Sequence, residues 1–257
     1  MASGAPAAGR VLGRSVIALG EVASTQIELA RLAAEGAPEG TVITAEHQTA
    51  GRGRRGRAWW DAPGSSLLCS VLLRPRLTAA QAPLLSPMAA VALAEAVVAR
   101  TRVEASIRWP NDVLVGEAKL AGILAEAAID GRGQLRHVLL GMGINLEQTE
   151  FPADLGQPAT SLRLAAGARV ARGELLDELL GALDRWYARV QAGEVEALRR
   201  AWLARARLGG PVRLADGRRG TASGLDADGA LLVDLDGGGR ERVMAAELGE
   251  GTHAAAR

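Results

Sequence analysis

The sequence predicts an α/β fold of the α+β type, in which a mixed sheet forms the main domain and a small β-barrel follows. Three observations support this. The chain has 257 residues, enough for one sizeable domain and a small appendage. Short β-rich segments alternate with amphipathic helical segments up to residue 207. After Gly209–Gly210, short β-like segments are separated by Asp-Gly pairs, which are typical of hairpin turns. We therefore expect a flexible tail at 1–15, a main domain at 16–207 and a barrel with its tail at 208–257.

The first helix carries signals at both ends. In "VASTQIELARLAAEG", Thr25 is the expected N-cap, Glu28 its capping-box partner and Gly36 the C-terminal stop. Strands are predicted at 41–46 and 66–73, and a second helix from Ser86–Pro87 to about Arg100.

The next elements surround two turns. "SIRWPNDVLV" has strand-like ends on either side of a Pro-Asn-Asp break, and the turn "DGRG" at 130–133 separates two further strands. Helices follow at 173–192 and 194–207, where we expect Trp186, Tyr187 and Trp202 to pack in the core.

The composition indicates a cytoplasmic protein. The N-terminal "MASGAPAAGR" has no apolar stretch long enough for a signal peptide, and no later run reaches the roughly 18 apolar residues of a membrane span. The single cysteine, Cys69, has no partner for an intramolecular disulfide and lies in an apolar run. We expect it to be a buried hydrophobic residue in a reducing compartment.

Charge argues against a protein that binds nucleic acid over its whole surface, because the formal net charge is only +1. Of the 30 basic residues, 29 are arginine, and Lys119 is the single lysine. A compositional bias toward arginine explains most of this. The surviving lysine is then either a chance remnant or a position that needs a compact ammonium group.

The run "GRGRRGR" at 51–57 places four arginines and three glycines between two predicted strands. Its position inside a folded domain argues against a disordered Arg-Gly tail. Glycines let the backbone approach a ligand closely, and arginine offers paired hydrogen bonds to phosphate or carboxylate. The Gly-Lys-Ser/Thr ending of a Walker loop is absent. The run therefore predicts an anion site but does not identify the anion.

Three other segments place polar residues in apolar surroundings. Ser24 and Thr25 open the first helix, where they form either a cap or a ligand contact. Asn111 and Asp112 form either a simple turn or part of a site, and Asn145 ends an apolar run where its amide needs partners.

In order along the chain, "STQ", "AEHQTAGRGRRGRAW", "RWPNDVLV…KLAGILAE" and "GMGINL" closely resemble the biotin–protein ligase family over about residues 16 to 250. The resemblance implies a catalytic domain like that of class II aminoacyl-tRNA synthetases and an SH3-like C-terminal barrel. It also implies a two-step reaction. Biotin and ATP, with Mg²⁺, give biotinyl-5′-adenylate and pyrophosphate, and a lysine of a biotin carboxyl carrier domain then takes the biotinyl group.

The resemblance also assigns site residues. Lys119 matches the family's essential lysine, between carboxylate and phosphate, and Arg52 and Asp112 are the other expected catalytic residues. We expect Asp112 to attract and orient the carrier's amine. No metal site on the protein itself is expected. The expected biotin-binding residues are Ser24, Thr25, Gln26, Gln48, Arg52, Gly53, Arg54 and Lys119. The expected ATP-binding residues are Arg52, Arg54, Trp59, Asn111, Lys119 and Asn145.

Two departures and two alternatives remain. Family members often carry asparagine where Gln26 stands, so its contact is open, and His47 receives no role. A lipoate or octanoate ligase or transferase is a related alternative on the same core, and an Arg-Gly nucleic-acid binder is an unrelated one. Only about 20 residues precede the first motif, so we expect no DNA-binding domain, no DNA or membrane partner, and a monomer or homodimer.

Overall fold

Seven strands form one mixed sheet in the computed structural model, which describes residues 9–247. The strands of this sheet, in chain order, are β1 (Ser15–Val22), β2 (Thr41–Gln48), β3 (Ser66–Leu73), β4 (Ser106–Arg108), β5 (Asp112–Val115), β6 (Ala118–Ile129) and β7 (Leu135–Asn145). Their order across the sheet is β1-β2-β3-β7-β6-β5-β4. Only β1 and β2 pair in parallel, and each of the other neighbouring pairs is antiparallel.

Five helices accompany the sheet: α1 (Thr25–Ala34), α2 (Leu85–Thr101), α3 (Leu162–Ala166), α4 (Arg172–Gln191) and α5 (Val195–Leu203). Side chains alternate across each strand, so neighbouring residues serve opposite faces. Val42 and Leu140 join the large cluster that includes α2, α4 and α5, whereas Ile43 and Leu139 join a small cluster with α1. The large cluster leaves the α1 face of the sheet partly uncovered, and the cleft described below lies there.

Helix α2 is the central core helix. Most of its side chains are buried, and together with the 3₁₀ turn before it, Ala79–Thr101 is apolar enough by length and mean hydropathy, 1.7, to cross a membrane. A helix was predicted here, but a segment long and apolar enough to span a membrane was not expected. Its apolar residues pack against the sheet and α4, as expected for the core helix of a folded domain.

A four-stranded antiparallel sheet follows α5, as the Asp-Gly pattern predicted. It consists of β8 (Pro211–Arg213), β9 (Arg219–Leu225), β10 (Leu231–Leu235) and β11 (Arg240–Val243), in the order β11-β10-β9-β8. Its turns contain Gly217, Gly229, Gly238 and Gly239 with positive φ, a conformation that favours glycine. It contacts the first sheet through Trp109 Nε1, which donates to the Gly229 carbonyl at 3.1 Å.

The predicted strands and helices are confirmed within a few residues, and Trp186, Tyr187, Trp202 and Cys69 are buried as expected. Burial raises the pKa of the Cys69 thiol to about 12.

Two predictions at helix and chain termini were wrong. The N-cap of α1 is Ser24, not Thr25, so the expected capping box with Glu28 does not form. Residues 10–14 are packed rather than part of a flexible tail, because Leu12 is fully buried and two backbone amides donate to Asp184. Strand β1 was not predicted, since as a mostly exposed edge strand it lacks a clear alternation of apolar residues. The rest of the expected tails, 1–8 and 248–257, lies outside the described residues.

Candidate active site

A cleft opens on the α1 face of the sheet. Its walls are the start of α1, the loop at 51–60, the middle of β6 and β7, and the segment at 151–159. The predicted residues that line it are Ser24, Thr25, Gln26, Gln48, Arg52, Gly53, Arg54, Trp59, Asn111, Lys119 and Asn145. The fold therefore brings together residues from five separate segments of the sequence.

Three glycines make the floor of this cleft. A Cβ atom at Gly143 would lie 2.5 Å from the Trp59 ring, and one at Gly122 would lie 2.9 Å from the same ring. At Gly141, a Cβ would lie 2.7 Å from the side chain of Gln26. Separations below 3.0 Å are not tolerated without rearrangement, so the side chains that shape the cleft can lie on the sheet only because these positions carry none. This role of the glycines was not predicted, although the motif "GMG" lies just before Asn145 in the sequence.

The start of α1 presents a polar wall whose side-chain geometry is fixed. The Oε1 atom of Gln48 accepts from the Thr25 backbone amide at 2.8 Å and from the Thr25 hydroxyl at 3.0 Å. The amide nitrogen of Gln26 donates to two main-chain carbonyls, of Leu124 and Leu139, at 3.1 and 3.2 Å. Because both hydrogens of the Gln26 amide are used, the side chain is fixed with its oxygen as the group still free to accept.

The loop at 51–57 is a short hairpin. Arg52 and Ala58 form an isolated bridge, and the Trp59 amide donates to the Gly51 carbonyl at 2.9 Å. At the tip, Arg55 adopts a left-handed conformation with φ 57°. The ordered turn places the guanidinium groups of Arg52 and Arg54 at the cleft.

The arginines of this loop are anchored individually. Arg52 Nη2 lies 3.1 Å from Glu126 Oε2, while Arg54 and Arg55 donate to the carbonyls of Ala245 and Ala246 at 2.9 and 3.1 Å. Burial, helped by the neighbouring Arg55 and Arg57, lowers the pKa of the Arg54 guanidinium from its ordinary value. Even with this lowered pKa, the guanidinium would lose its proton only far above neutral pH. Arg54 therefore remains a cation, which an anionic ligand would stabilise.

Lys119 lies at the centre of the cleft. Its Nζ is 2.7 Å from Asp112 Oδ1 and 5.5 Å from the centroid of the Trp59 ring. The backbone of Lys119 is held as well, because its amide donates to Pro158 O and its carbonyl accepts from the Thr160 amide, both at 2.9 Å. An ammonium group held at both main chain and side chain is a fixed positive charge.

Among the predicted site residues, Asp112 alone does not line the cleft. It is only 5% exposed, and its Oδ2 accepts from Arg108 Nη2 at 2.7 Å while Oδ1 faces Lys119. Burial opposes ionisation, but the charges of Lys119 and Arg108 outweigh it and lower the pKa of Asp112. Both oxygens are therefore engaged with cations of this chain. The expectation that Asp112 attracts the carrier's amine is corrected, because the carboxylate is neither exposed nor free.

Asn111 and Asn145 hold the walls of the cleft to one another. Asn111 Nδ2 donates to Ile123 O at 3.0 Å, and its Oδ1 lies 3.5 Å from Arg54 Nη1. Asn145 Nδ2 donates to Thr160 O at 2.9 Å, and its Oδ1 accepts from Gln148 at 3.3 Å. Their amides already have protein partners, so a ligand would meet their remaining hydrogen-bonding capacity.

One buried donor in the cleft is unsatisfied. Among residues 9–247, the buried indole Nε1 of Trp59 has no hydrogen-bond partner. Nearby, the ring centroids of Trp60 and Phe151 lie 5.8 Å apart. These two rings and Leu155 form an apolar part of the cleft lining. An unpartnered buried N–H is costly, and a ligand oxygen would satisfy it. His47, which received no role, bonds through Nδ1 to the buried Asp61 at 2.9 Å, behind the loop.

The cleft suits a ligand that carries both an anionic group and neutral polar groups. Its lining combines the cations Lys119, Arg52 and Arg54 with uncharged amides and hydroxyls. No cluster of three or more histidine, cysteine or acidic side chains suited to a metal occurs within residues 9–247.

Comparison with known proteins agrees with this geometry. Residues 19–145 match the biotin/lipoate A/B protein ligase family, and residues 208–247 match the biotin protein ligase C-terminal domain. The chain is 36% identical over 234 residues to a biotin–[acetyl-CoA-carboxylase] ligase of Paracoccus denitrificans, covering 88% of this chain and 96% of that protein. It is 33% identical to the bifunctional ligase/repressor BirA of Bacillus subtilis, covering 89% and 72% of the two chains. Among solved structures, the biotin protein ligase of Aquifex aeolicus in complex with biotin and ATP superposes with a TM-score of 0.74 at 29% identity, covering 91% and 97%.

Proposed function

The chain belongs to the biotin/lipoate A/B protein ligase family, and on that premise we propose that it is an ATP-dependent biotin–protein ligase. The observation that carries the proposal is the position of Lys119, an ammonium fixed between a polar pocket and two arginines. The lipoate alternative is not favoured, because the relatives from Paracoccus denitrificans and Mycobacterium tuberculosis and the similar Aquifex aeolicus structure are all biotin ligases. A nucleic-acid binder would have no use for a half-buried lysine that lines a cleft and is held by a buried carboxylate.

Biotin fits the cleft by its chemistry. Its bicyclic urea is neutral and both donates and accepts hydrogen bonds, its thioether ring is apolar, and its tail ends in a carboxylate. The polar wall of Ser24, Thr25 and Gln48 suits the urea, and the glycine floor with Trp59 suits the apolar thioether ring. We assign the carboxylate to Lys119, with Gln26, Gly53 and Arg54 completing the biotin site.

The first step joins two anions. A carboxylate oxygen of biotin attacks the α-phosphorus of ATP, the bond to the bridging oxygen breaks, and pyrophosphate leaves. Bringing these negative groups together requires fixed positive charge, which is the largest contribution a preorganised site makes. Lys119, Arg52 and Arg54 supply it, and Trp59, Asn111 and Asn145 hold the adenylate. Mg²⁺ bound on the phosphates supplies further charge neutralisation.

The second step transfers the biotinyl group. The amine of a carrier lysine attacks the carbonyl carbon of the mixed anhydride, the carbon–oxygen bond to AMP breaks, and AMP leaves as a phosphate monoester. The amine must first lose a proton, and its ordinary pKa of about 10.4 makes that unfavourable near neutral pH. Asp112 is buried and engaged, so we assign the proton to water or to the departing phosphate.

The partner is the biotin carrier domain of an acetyl-CoA carboxylase, by analogy with the relatives that are biotin–[acetyl-CoA-carboxylase] ligases. We further propose a cytoplasmic protein, monomeric or homodimeric, that does not bind DNA. Residues 16–207 bind biotin and ATP, and residues 208–257 form the C-terminal unit, which contributes carbonyls that anchor Arg54 and Arg55.

Biotin-dependent exchange of labelled pyrophosphate into ATP tests the first step. The full-length protein should catalyse exchange with biotin and not with lipoate or octanoate, and the Lys119→Ala variant should be inactive with all three. Exchange supported by lipoate but not by biotin would refute the proposed substrate.

A further inference from the structure

Asp112 creates an electrostatic difficulty for the proposed reaction. Its carboxylate lies 2.7 Å from Lys119 Nζ. A lone buried carboxylate at that distance would largely cancel the field of the ammonium group that has to attract the substrate's carboxylate. The structure shows how the cancellation is avoided. Arg108 holds the other oxygen of Asp112, also at 2.7 Å, so the three groups together carry one net positive charge.

Arg108 is the last residue of β4. It does not line the cleft itself, but it contacts residues that do. Its side chain is 10% exposed, and its Nη2 also donates to Oε1 of Gln157, a residue of the opposite wall. Through Gln157, the arginine is tied to the segment that also binds the backbone of Lys119.

Stability alone does not account for this arrangement. Buried ion pairs are often no more stable than well-packed apolar residues of similar volume, because desolvation offsets their attraction. Here the cost is higher, since the buried Nε of Arg108 has no hydrogen-bond partner within the described part of the chain. A group retained at such a cost needs another explanation.

We propose that Arg108 is a positioning residue of the ligase, which acts through Asp112. It orients the carboxylate so that Oδ1 fixes the Lys119 ammonium, and it offsets the carboxylate's charge so that the ammonium still attracts an anion. This rests on the proposed function, because the anion it serves is the carboxylate of biotin. Arg108 itself does not touch the substrate.

A comparison of two ligands isolates the charge effect from any structural effect. Calorimetry would measure binding of biotin, and of its alcohol analogue with CH₂OH in place of the carboxylate, to the full-length protein without ATP. The ratio of the two dissociation constants reports attraction for the carboxylate. Arg108→Gln should reduce the preference for biotin by on the order of tenfold, the effect of one unit charge acting within a partly solvated site. Affinity for the alcohol should change little.

Two control variants are matched to this one. Arg108→Lys keeps the charge and should retain most of the preference. Arg240→Gln removes the same kind of charge from an exposed pair in the C-terminal sheet and should leave the ratio unchanged. A merely structural role for Arg108 would instead weaken both ligands equally, and that result would overturn the proposal.

A second variant keeps the test decisive if Arg108→Gln does not fold. Asp112→Asn removes the negative charge and should raise the preference for biotin, whereas a fall in that preference would overturn the charge account. Binding by the unmodified protein distinguishes failure of the proposed function from failure of the proposed role of Arg108. If it binds neither ligand, the proposed function fails and this inference fails with it. If it binds both equally, only the inference fails.

Discussion

The cleft and the C-terminal sheet both depend on glycine, arginine and aspartate. These residue types have different structural roles in the two regions. In the cleft, Gly143 is needed because a Cβ there would lie 2.5 Å from Trp59. In the C-terminal sheet, Gly238 has open space around it and is needed for its φ of 91°. The cleft therefore requires glycine because neighbouring side chains leave no room for a Cβ atom. The turn requires glycine because its backbone has a positive φ.

The charged residues differ in the same way. Arg108 and Asp112 are buried, 10% and 7% exposed at their side chains, and their pair extends to Lys119. Arg240 and Asp234, across β10 and β11, are 59% and 49% exposed and pair with one another at the surface of the C-terminal sheet. Buried pairs depend strongly on each partner, whereas exposed pairs are screened by water and salt. The contrast teaches that burial and crowding, rather than residue type, mark the site in an arginine-rich chain.

The largest effect should follow from Lys119→Arg, which keeps the charge but changes its shape. A planar guanidinium cannot take the compact position between Asp112 and the Trp59 ring. We expect adenylate formation to fall by about 10² to 10³, the loss typical of removing one preorganised group. Pyrophosphate exchange measures it, with circular dichroism to confirm folding. Near-normal exchange would mean that the charge alone matters and that the geometry of the cleft does not.

Gly143→Ala tests the crowded floor. The new methyl group must displace the Trp59 ring, so we expect a loss of stability of about 1–3 kcal/mol, together with weaker biotin binding. The matched control is Gly173→Ala, on helix α4, where a Cβ meets nothing within 4 Å. That variant should be neutral or slightly more stable, since alanine favours helix. Urea unfolding and calorimetry measure both, and equal behaviour of the two variants would contradict the distinction between crowded and open glycines.

Asp112→Asn tests the buried charge through pH. The pKa of Asp112 is lowered in the folded protein, so its ionised form contributes stability that is fully present above the ordinary value of about 3.9. That contribution is lost as the pH falls through the lower folded-state pKa. Near neutral pH the variant should be less stable by about 2 kcal/mol, less than for complete removal of a buried partner because asparagine still accepts a hydrogen bond.

The measurement is urea unfolding of both proteins from pH 7 to the acid limit of folding. The difference in the free energy of unfolding should be constant above about pH 4. It should shrink below that pH, because the pKa of Asp112 is lower in the folded protein than in the unfolded chain. A difference that grows on acidification would show that the pKa of Asp112 is raised rather than lowered in the folded protein.

Much of the fold and most of the cleft residues could be predicted from the sequence, for physical reasons that differ by element. Helix α1 and the Asp-Gly turns have strong local signals, because capping groups and positive φ depend on few residues. Strand β1 has none, since an exposed edge strand obtains its structure from pairing with β2. Lys119 was recognisable because it is the single lysine of the chain and lies in a specific motif.

The environment of Asp112 could not be predicted in the same way. Its two cationic partners come from the end of β4 and from β6, and only the antiparallel pairing of β4, β5 and β6 brings them together. The sequence shows a carboxylate beside a turn, and it does not show whether that carboxylate is exposed. Gln157 illustrates the same limit, because its link to Arg108 joins residues 49 positions apart. Roles that depend on tertiary pairing therefore required the structure.

The smallest effect is expected for Arg240→Gln in the C-terminal sheet. The Arg240 guanidinium lies 2.6 Å from Asp234 Oδ1. This distance is shorter than the 2.7 Å from Asp112 to either Arg108 or Lys119. Distance alone would therefore make this the stronger pair. Both groups are about half exposed, however, so water competes for the same hydrogen bonds and holding two long side chains in place costs conformational entropy. We expect the urea midpoint and the biotin affinity to match those of the unmodified protein, at low salt and at high salt. A loss as large as that of Asp112→Asn, and one that disappears at high salt, would show that exposed pairs stabilise the C-terminal sheet. Burial would then no longer distinguish the two regions.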